Sequence, residues 1–195
     1  MLIERPLQTG HVADWVDSVL AAQKRFVGPI SKWVPGNRSE ERRVHEWPVV
    51  VDGRLIGAFV SLTSYPFERT LRFTITLNVW PAGWKKATCI WRVDHEPEFK
   101  SHTNTGKGVS LTGERFLKGP NYHAWEMNRH LCKPAHFPEL EVAQSLPGEL
   151  REFDQTLRWF CGRVGIILPS EHMPECKRRS NNPSLKRPDN LVAPE

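Results

Sequence analysis

Val49-Val50-Val51-Asp52-Gly53-Arg54-Leu55-Ile56-Gly57-Ala58-Phe59-Val60-Ser61-Leu62 is the stretch that decides the fold. Two β-prone apolar runs flank an Asp-Gly pair. Both residues tolerate the positive φ of a tight hairpin turn, so Val49–Val51 and Leu55–Leu62 read as antiparallel strands. Further on, Leu71, Phe73, Ile75, Leu77 and Val79 alternate with Arg72, Thr74, Thr76 and Asn78. A period of two gives a strand one buried face and one wet face. Pro81-Ala82-Gly83 turns the chain toward a strand over Ala87–Asp94, and a last strand is predicted over Tyr122–Met127. Connections this short cannot make parallel crossovers, so the meander is antiparallel.

Helices are predicted on either side of these strands. From His11 to Phe26, the residues Val12, Trp15, Val16, Val19, Leu20 and Phe26 recur at helical spacing, with Thr9 as cap and Gly28-Pro29 as stop. Pro35–Arg43 is polar and turn-rich and reads as a loop. Leu150, Phe153, Leu157, Phe160 and Val164 predict a second helix over Gly148–Val164, led in by Pro147 and stopped at Gly165. Ile166-Ile167-Leu168 then adds a short strand. The expected architecture is α+β, a mostly antiparallel sheet of about five strands packed by two helices. Residues 1–168 form one domain, and the proline-rich basic stretch 169–195 reads as a disordered tail.

Charge and cysteine usage narrow the class. A net charge of +5 allows a nucleic-acid partner. The basic residues cluster at Lys177-Arg178-Arg179 with Lys186-Arg187, and at Arg38 with Arg42-Arg43. No run approaches the ~20 apolar residues of a membrane span, and Met1–Pro6 does not resemble a signal peptide, so a cytoplasmic location and no membrane partner are expected. Cys89, Cys132, Cys161 and Cys176 form no Cys-x-x-Cys pair, and Cys89 and Cys161 read as small core residues. The phosphate-loop, dinucleotide and nucleophile-elbow motifs are missing, so no motif names a cofactor.

The chemistry-bearing residues collect around one loop. Arg92 and Asp94 share a face of the Ala87–Asp94 strand, where the arginine can hold a phosphate and the aspartate can orient a histidine. His102 and Asn104 lie in the polar loop Ser101–Gly106, and His123 near the start of the next strand shares a face with Trp125 and Met127, opposite Glu126. Imidazoles serve as acid and base near neutral pH, so His102, His123, Arg92 and Asp94 form the candidate catalytic set. Asn104, Arg115, Lys118 and Arg129 are the candidate nucleic-acid contacts. His95, His102, His123 and Asp94 are the alternative, a metal-ligand set of suitable types without a recognised spacing.

These residues resemble the pattern of a family of small, uncharacterised bacterial proteins, a domain of unknown function. That pattern is Arg-x-Asp, then Pro-His-x-Asn with a nearby glycine, then a strand with His-x-His. Arg92-Val93-Asp94 matches the first part, and His102-Thr103-Asn104 with Gly106 the second. Asn121-Tyr122-His123 matches the third, with Asn121 in place of the first histidine. Phe153–Leu168 resembles the family's closing helix and strand, and coverage runs from Val49 to Leu168. The family is distantly similar to small toxins of toxin–antitoxin systems, which implies toxin-like or phage-conflict biology and action on RNA.

Three functions are therefore expected to compete. One is a small nuclease acting on RNA phosphodiesters. Another is a non-catalytic binding or inhibitor protein whose eight tryptophans and basic tail engage a protein or nucleic acid. The last is a metal-dependent hydrolase.

Overall fold

In a computed structural model the described residues are 12–28, 33–36, 39–65, 72–80, 85–95, 101–133, 140–168, 174 and 176. The expectations placed on Thr9, His11, Pro29 and most of the 169–195 tail lie outside them. Within the tail, Pro174 is buried and Cys176 packs against the core.

The Asp52-Gly53 hairpin forms as read. Strands β3 (Ser39–Val51) and β4 (Arg54–Ser64) pair antiparallel, and both turn residues have positive φ, 47° and 75°. A bulge near Ile56-Gly57 breaks their register. Gly57 has φ 72° there, and a Cβ would meet the Trp80 carbonyl. Strands β5 (Phe73–Val79) and β6 (Thr88–His95) extend the meander.

The sheet is larger than expected, with nine strands. The additions are β1 (Lys24–Phe26), β2 (Val34–Gly36) and β10 (Gln144–Ser145), while β9 (Asn121–His123) and β11 (Ile166–Ile167) stand where short strands were expected. Their order is β10-β9-β6-β5-β4-β3-β1-β11, with β2 on β3. Among the described residues only β1 and β11 pair in parallel. Strands β7 (Ser101–Thr103) and β8 (Phe116–Lys118) make a separate two-stranded ribbon.

One face of the large sheet carries the core. Val49, Val51, Val60, Leu62, Ile75, Leu77, Trp91 and Val93 meet Val12, Trp15, Val16 and Val19 of α1 (Val12–Ala21). Phe153, Leu157 and Phe160 of α4 (Phe153–Arg163) join the same cluster. Short helices α2 (Lys107–Thr112) and α3 (Trp125–Asn128) lie in the connections. Among the described residues the opposite sheet face carries no large helix and is polar at Thr74, Thr76 and Asn78, which are half-buried.

Four boundaries differ from expectation, each for a local reason. Helix α1 stops at Ala21 because Lys24 is fully buried and its ammonium turns back, donating to the carbonyls of Leu20 at 3.0 Å and Ala22 at 2.6 Å. Phe26 then stacks on Trp47 from β1, at 3.6 Å between ring centroids, rather than from a helix. The supposed loop Pro35–Arg43 is largely strand, since the β3–β4 ladder continues through Arg43 opposite Ser64. Ladder bonds need no apolar side chains where a face is wet.

The strand expected over Tyr122–Met127 ends at His123, and Trp125–Asn128 is helical. The Trp125 indole donates to Asp17 at 2.6 Å, and the buried Asn128 amide donates to Ala124 O at 2.9 Å, folding the chain over. The final helix begins at Phe153, five positions after Gly148, where Glu152 and Gln155 form a capping box. Gly165 follows it at φ 68°.

Candidate functional site

Register across the sheet builds the site. Thr76 on β5 pairs with Arg92 on β6, which pairs with His123 on β9. In the next row Thr74 pairs with Asp94, which pairs with Asn121. Paired residues project to one face, so Thr74, Arg92, Asp94, Asn121 and His123 all stand on the polar side of the sheet. The β7–β8 ribbon folds over that end. Its inward residues are His102 and Leu117, paired opposite each other.

The four candidate catalytic residues meet. Arg92 Nε lies 2.6 Å from Asp94 Oδ2, and His123 Nε2 lies 3.6 Å from the same oxygen. Thr74 Oγ1 donates to Asp94 Oδ1 at 3.0 Å. The rings of His102 and His123 stand edge to face with centroids 4.9 Å apart. His102 Nε2 donates to the Glu141 carbonyl at 2.9 Å, which assigns the proton to that nitrogen and the lone pair to Nδ1.

The electrostatics follow from this packing. Burial pushes the Asp94 carboxyl up, but the His123 contact and the Arg92 guanidinium outweigh it and hold the group below the usual carboxylate range. Burial, then the adjacent His123, brings His102 below the ordinary imidazole range. His102 is therefore neutral at neutral pH, with a lone pair to offer. His123 Nδ1 and Asn121 Oδ1 are buried and have no hydrogen-bond partner among the described residues. Such atoms are exceptions in folded proteins, and these two belong to residues paired with, or close to, Asp94.

The residues expected to touch nucleic acid scatter. Asn104 is 1% exposed, and its amide is spent on Glu114 O, Ala143 O, Thr112 Oγ1 and the Ala143 N–H. Arg129 is bound to Asp14 and Asp17 of α1 at 2.8 Å each. Lys118 is exposed on the outer face of the ribbon, away from His102, while exposed Arg115 stands over the Phe116 ring. Of the alternative metal set, His95 lies apart, stacked on Phe73. Among the described residues no three His, Cys, Asp or Glu side chains gather closely enough to hold a metal ion.

Other residues of the site were not visible in the sequence. Thr74 fixes Asp94 from a neighbouring strand. The segment Glu141–Ser145, which presents the Glu141 carbonyl to His102, is pinned by side chains. Asn128 exchanges two hydrogen bonds with Val142, and Glu114 accepts from the backbone and hydroxyl of Ser145. Asn128–Val142 and Glu114–Ser145 pairings, 14 and 31 residues apart, carry no local signal.

Two further expectations change. Cys161 is core, but Cys89 lines an open cavity on the polar face. Strict alternation would set Cys89 beside Trp91 in the core; the β5–β6 bulge, where Leu77 pairs with Trp91 and Asn78 with Cys89, reverses its side. Trp15, Trp47, Trp91 and Trp125 are at most 4% exposed, so they are core rather than a contact surface. Among the described residues no helix is long and apolar enough to cross a membrane. No protein-family model, curated protein or solved structure matches the chain.

Proposed function

We propose that this site cleaves RNA phosphodiesters, in the toxin-like or phage-conflict setting that the sequence resemblance implied. The observation that carries the reading is the meeting of His102 and His123, edge to face, beside a guanidinium anchored by a buried carboxylate. His102, neutral and with its Nδ1 lone pair available, is the base that takes the proton of a ribose 2′-hydroxyl. The 2′-oxygen bonds to phosphorus and the bond from phosphorus to the 5′-oxygen breaks. His123, backed by Asp94, supplies the proton to that leaving oxygen. Arg92 holds the phosphate oxygens as charge builds on them. The products are a 2′,3′-cyclic phosphate and a 5′-hydroxyl, and atoms balance with no co-reactant.

The test is cleavage of a single-stranded RNA by wild type, His102→Ala and His123→Ala, each with and without a chelator. Cyclic-phosphate ends that disappear in both variants support the reading. Intact RNA after prolonged incubation with folded wild-type protein overturns it. Cleavage abolished by the chelator alone would move the chemistry to the metal-dependent hydrolase reading.

A further inference from the structure

The histidine site is one end of a longer polar row. Register places Glu46 opposite Ser61, Ser61 opposite Thr76, Thr76 opposite Arg92 and Arg92 opposite His123, on five successive strands. Strands lie ~4.8 Å apart, so this row is long enough for more than one nucleotide. Over it lies an open cavity of about 410 Å³. Arg92 belongs to both the cavity and the catalytic set, Arg42 stands in the cavity wall on β3, and Phe59 supplies a ring.

The composition of that wall selects a ligand. Ser61, Thr63, Thr74 and Thr76 supply hydroxyls and Asn78 an amide, all neutral groups that both donate and accept. They suit sugar hydroxyls and base edges. Phe59 suits a base face, because stacking on an aromatic ring is the sequence-tolerant way to hold an unpaired base. Arg92 and Arg42 suit successive phosphates, and Arg42 keeps a buried Nε with no hydrogen-bond partner among the described residues although its Nη2 donates to Thr63 at 3.3 Å. A duplex keeps its bases paired and stacked, so it offers no splayed base to the Phe59 ring.

The geometry points to this sheet-face groove as the binding track for a single-stranded RNA segment that enters the histidine site through Arg92. The inference deepens the phosphodiester reading and takes its register from it.

Binding of a short single-stranded RNA, the same sequence as DNA and the annealed RNA duplex is measured by fluorescence anisotropy, with cleavage followed in parallel. Wild type is expected to bind single-stranded RNA best, with affinity falling as salt rises. Phe59→Ala should weaken binding about tenfold, and Phe59→Leu, which keeps an apolar side chain without the ring, by a similar amount. Arg42→Ala should lower both affinity and salt dependence. All three should raise KM and leave kcat close to wild type. RNA cleaved with unchanged KM by all three folded variants overturns the groove and leaves the chemistry standing. RNA bound in the groove but never cut supports the groove and overturns the chemistry. Equal affinity for duplex, or no binding of any RNA, overturns the groove.

Discussion

Asn104 and Ala143 are joined by two hydrogen bonds, Asn104 Nδ2 donating to the Ala143 carbonyl at 2.8 Å and the Ala143 N–H donating to Asn104 Oδ1 at 2.9 Å. A side-chain amide thus stands in for a strand partner and ties the segment behind Glu141 to the loop that carries His102. The sequence offered Asn104 as a contact for nucleic acid, but its burial and its filled bonds give it a positioning role. Asn104→Ala is expected to lower stability by about 2–4 kcal/mol, because several backbone groups lose their partner inside the fold. Denaturant unfolding measures this. Asn104→Asp keeps the acceptor for Ala143 N–H but turns a carboxylate oxygen toward the Glu114 and Ala143 carbonyls, so it should destabilise at least as much as alanine.

If His102 is the base of the proposed cleavage, its lowered pKa sets the acid limb of the rate. A base must be unprotonated, and burial together with the adjacent His123 takes its pKa below the ordinary value of 6.5. The rate of RNA cleavage is therefore expected to hold on the acid side until pH drops below 6.5. Enlarging the space around the ring, as with Leu117→Ala, should rehydrate it and shift the limb upward. A limb at or above the ordinary value in wild type would contradict the assignment of His102 as base.

The long elements were legible because their signal is local. Asp52-Gly53 and the alternation from Phe73 to Val79 carry their own instructions, and so do the apolar face of α1 and the stop at Gly165. The short strands were not, since two or three residues such as Lys24–Phe26 or Gln144–Ser145 acquire strand geometry only from a neighbour's ladder. Site residues followed the same division. Arg92 and Asp94 were readable as a pair on one strand, whereas His102, read as a loop residue, lies on β7, and His123, read near a strand start, ends β9; their meeting depends on how the ribbon folds over the sheet. Thr74, Asn128 and Glu114 act across long separations in sequence, and the bulge that turns Cys89 outward leaves no mark in composition.

Lys24 predicts an alkaline stability shift. Burial lowers its pKa from 10.5 to about 8, against a raising influence from Asp52. The folded state therefore loses this proton before the unfolded state does. Between about 8 and 10.5 the unfolded chain binds more protons, so this residue's contribution to stability rises with pH, and it is lost again as pH falls through the folded value. Cys89 and Cys161, pushed up to about 12 by burial, act in the opposite direction, so the comparison must be between wild type and Lys24→Met. The difference in melting temperature, wild type minus variant, should increase from pH 8 to pH 10.5. A flat difference would mean that the ammonium is not buried as described.

Arg92 should resist conservative replacement. Its Nε is held 2.6 Å from Asp94 while the residue lines the groove, so in the proposed reaction one planar group serves the carboxylate on one side and a phosphate on the other. Lysine keeps the charge but has no fork, and an ammonium that reaches the groove leaves Asp94 behind. Arg92→Lys is therefore expected to lower kcat for RNA cleavage by about 10–100-fold, a few kcal/mol of transition-state stabilisation, with a smaller effect on binding. Arg92→Ala should lower both, and should flatten the dependence of log Kd on log salt by about one phosphate contact. Stability gives an independent reading of the same pair. The Asp94 pKa is depressed in the fold, so its contribution is present above the ordinary value of 3.8 and is lost as pH falls through the folded value. Removing Arg92 takes away one of the influences that depress it. The destabilisation of Arg92→Ala relative to wild type should therefore be full at neutral pH and shrink once pH drops below 3.8. An Arg92→Lys variant with wild-type kcat would show that the fork is not used, and the phosphate would then have to be held elsewhere on the groove.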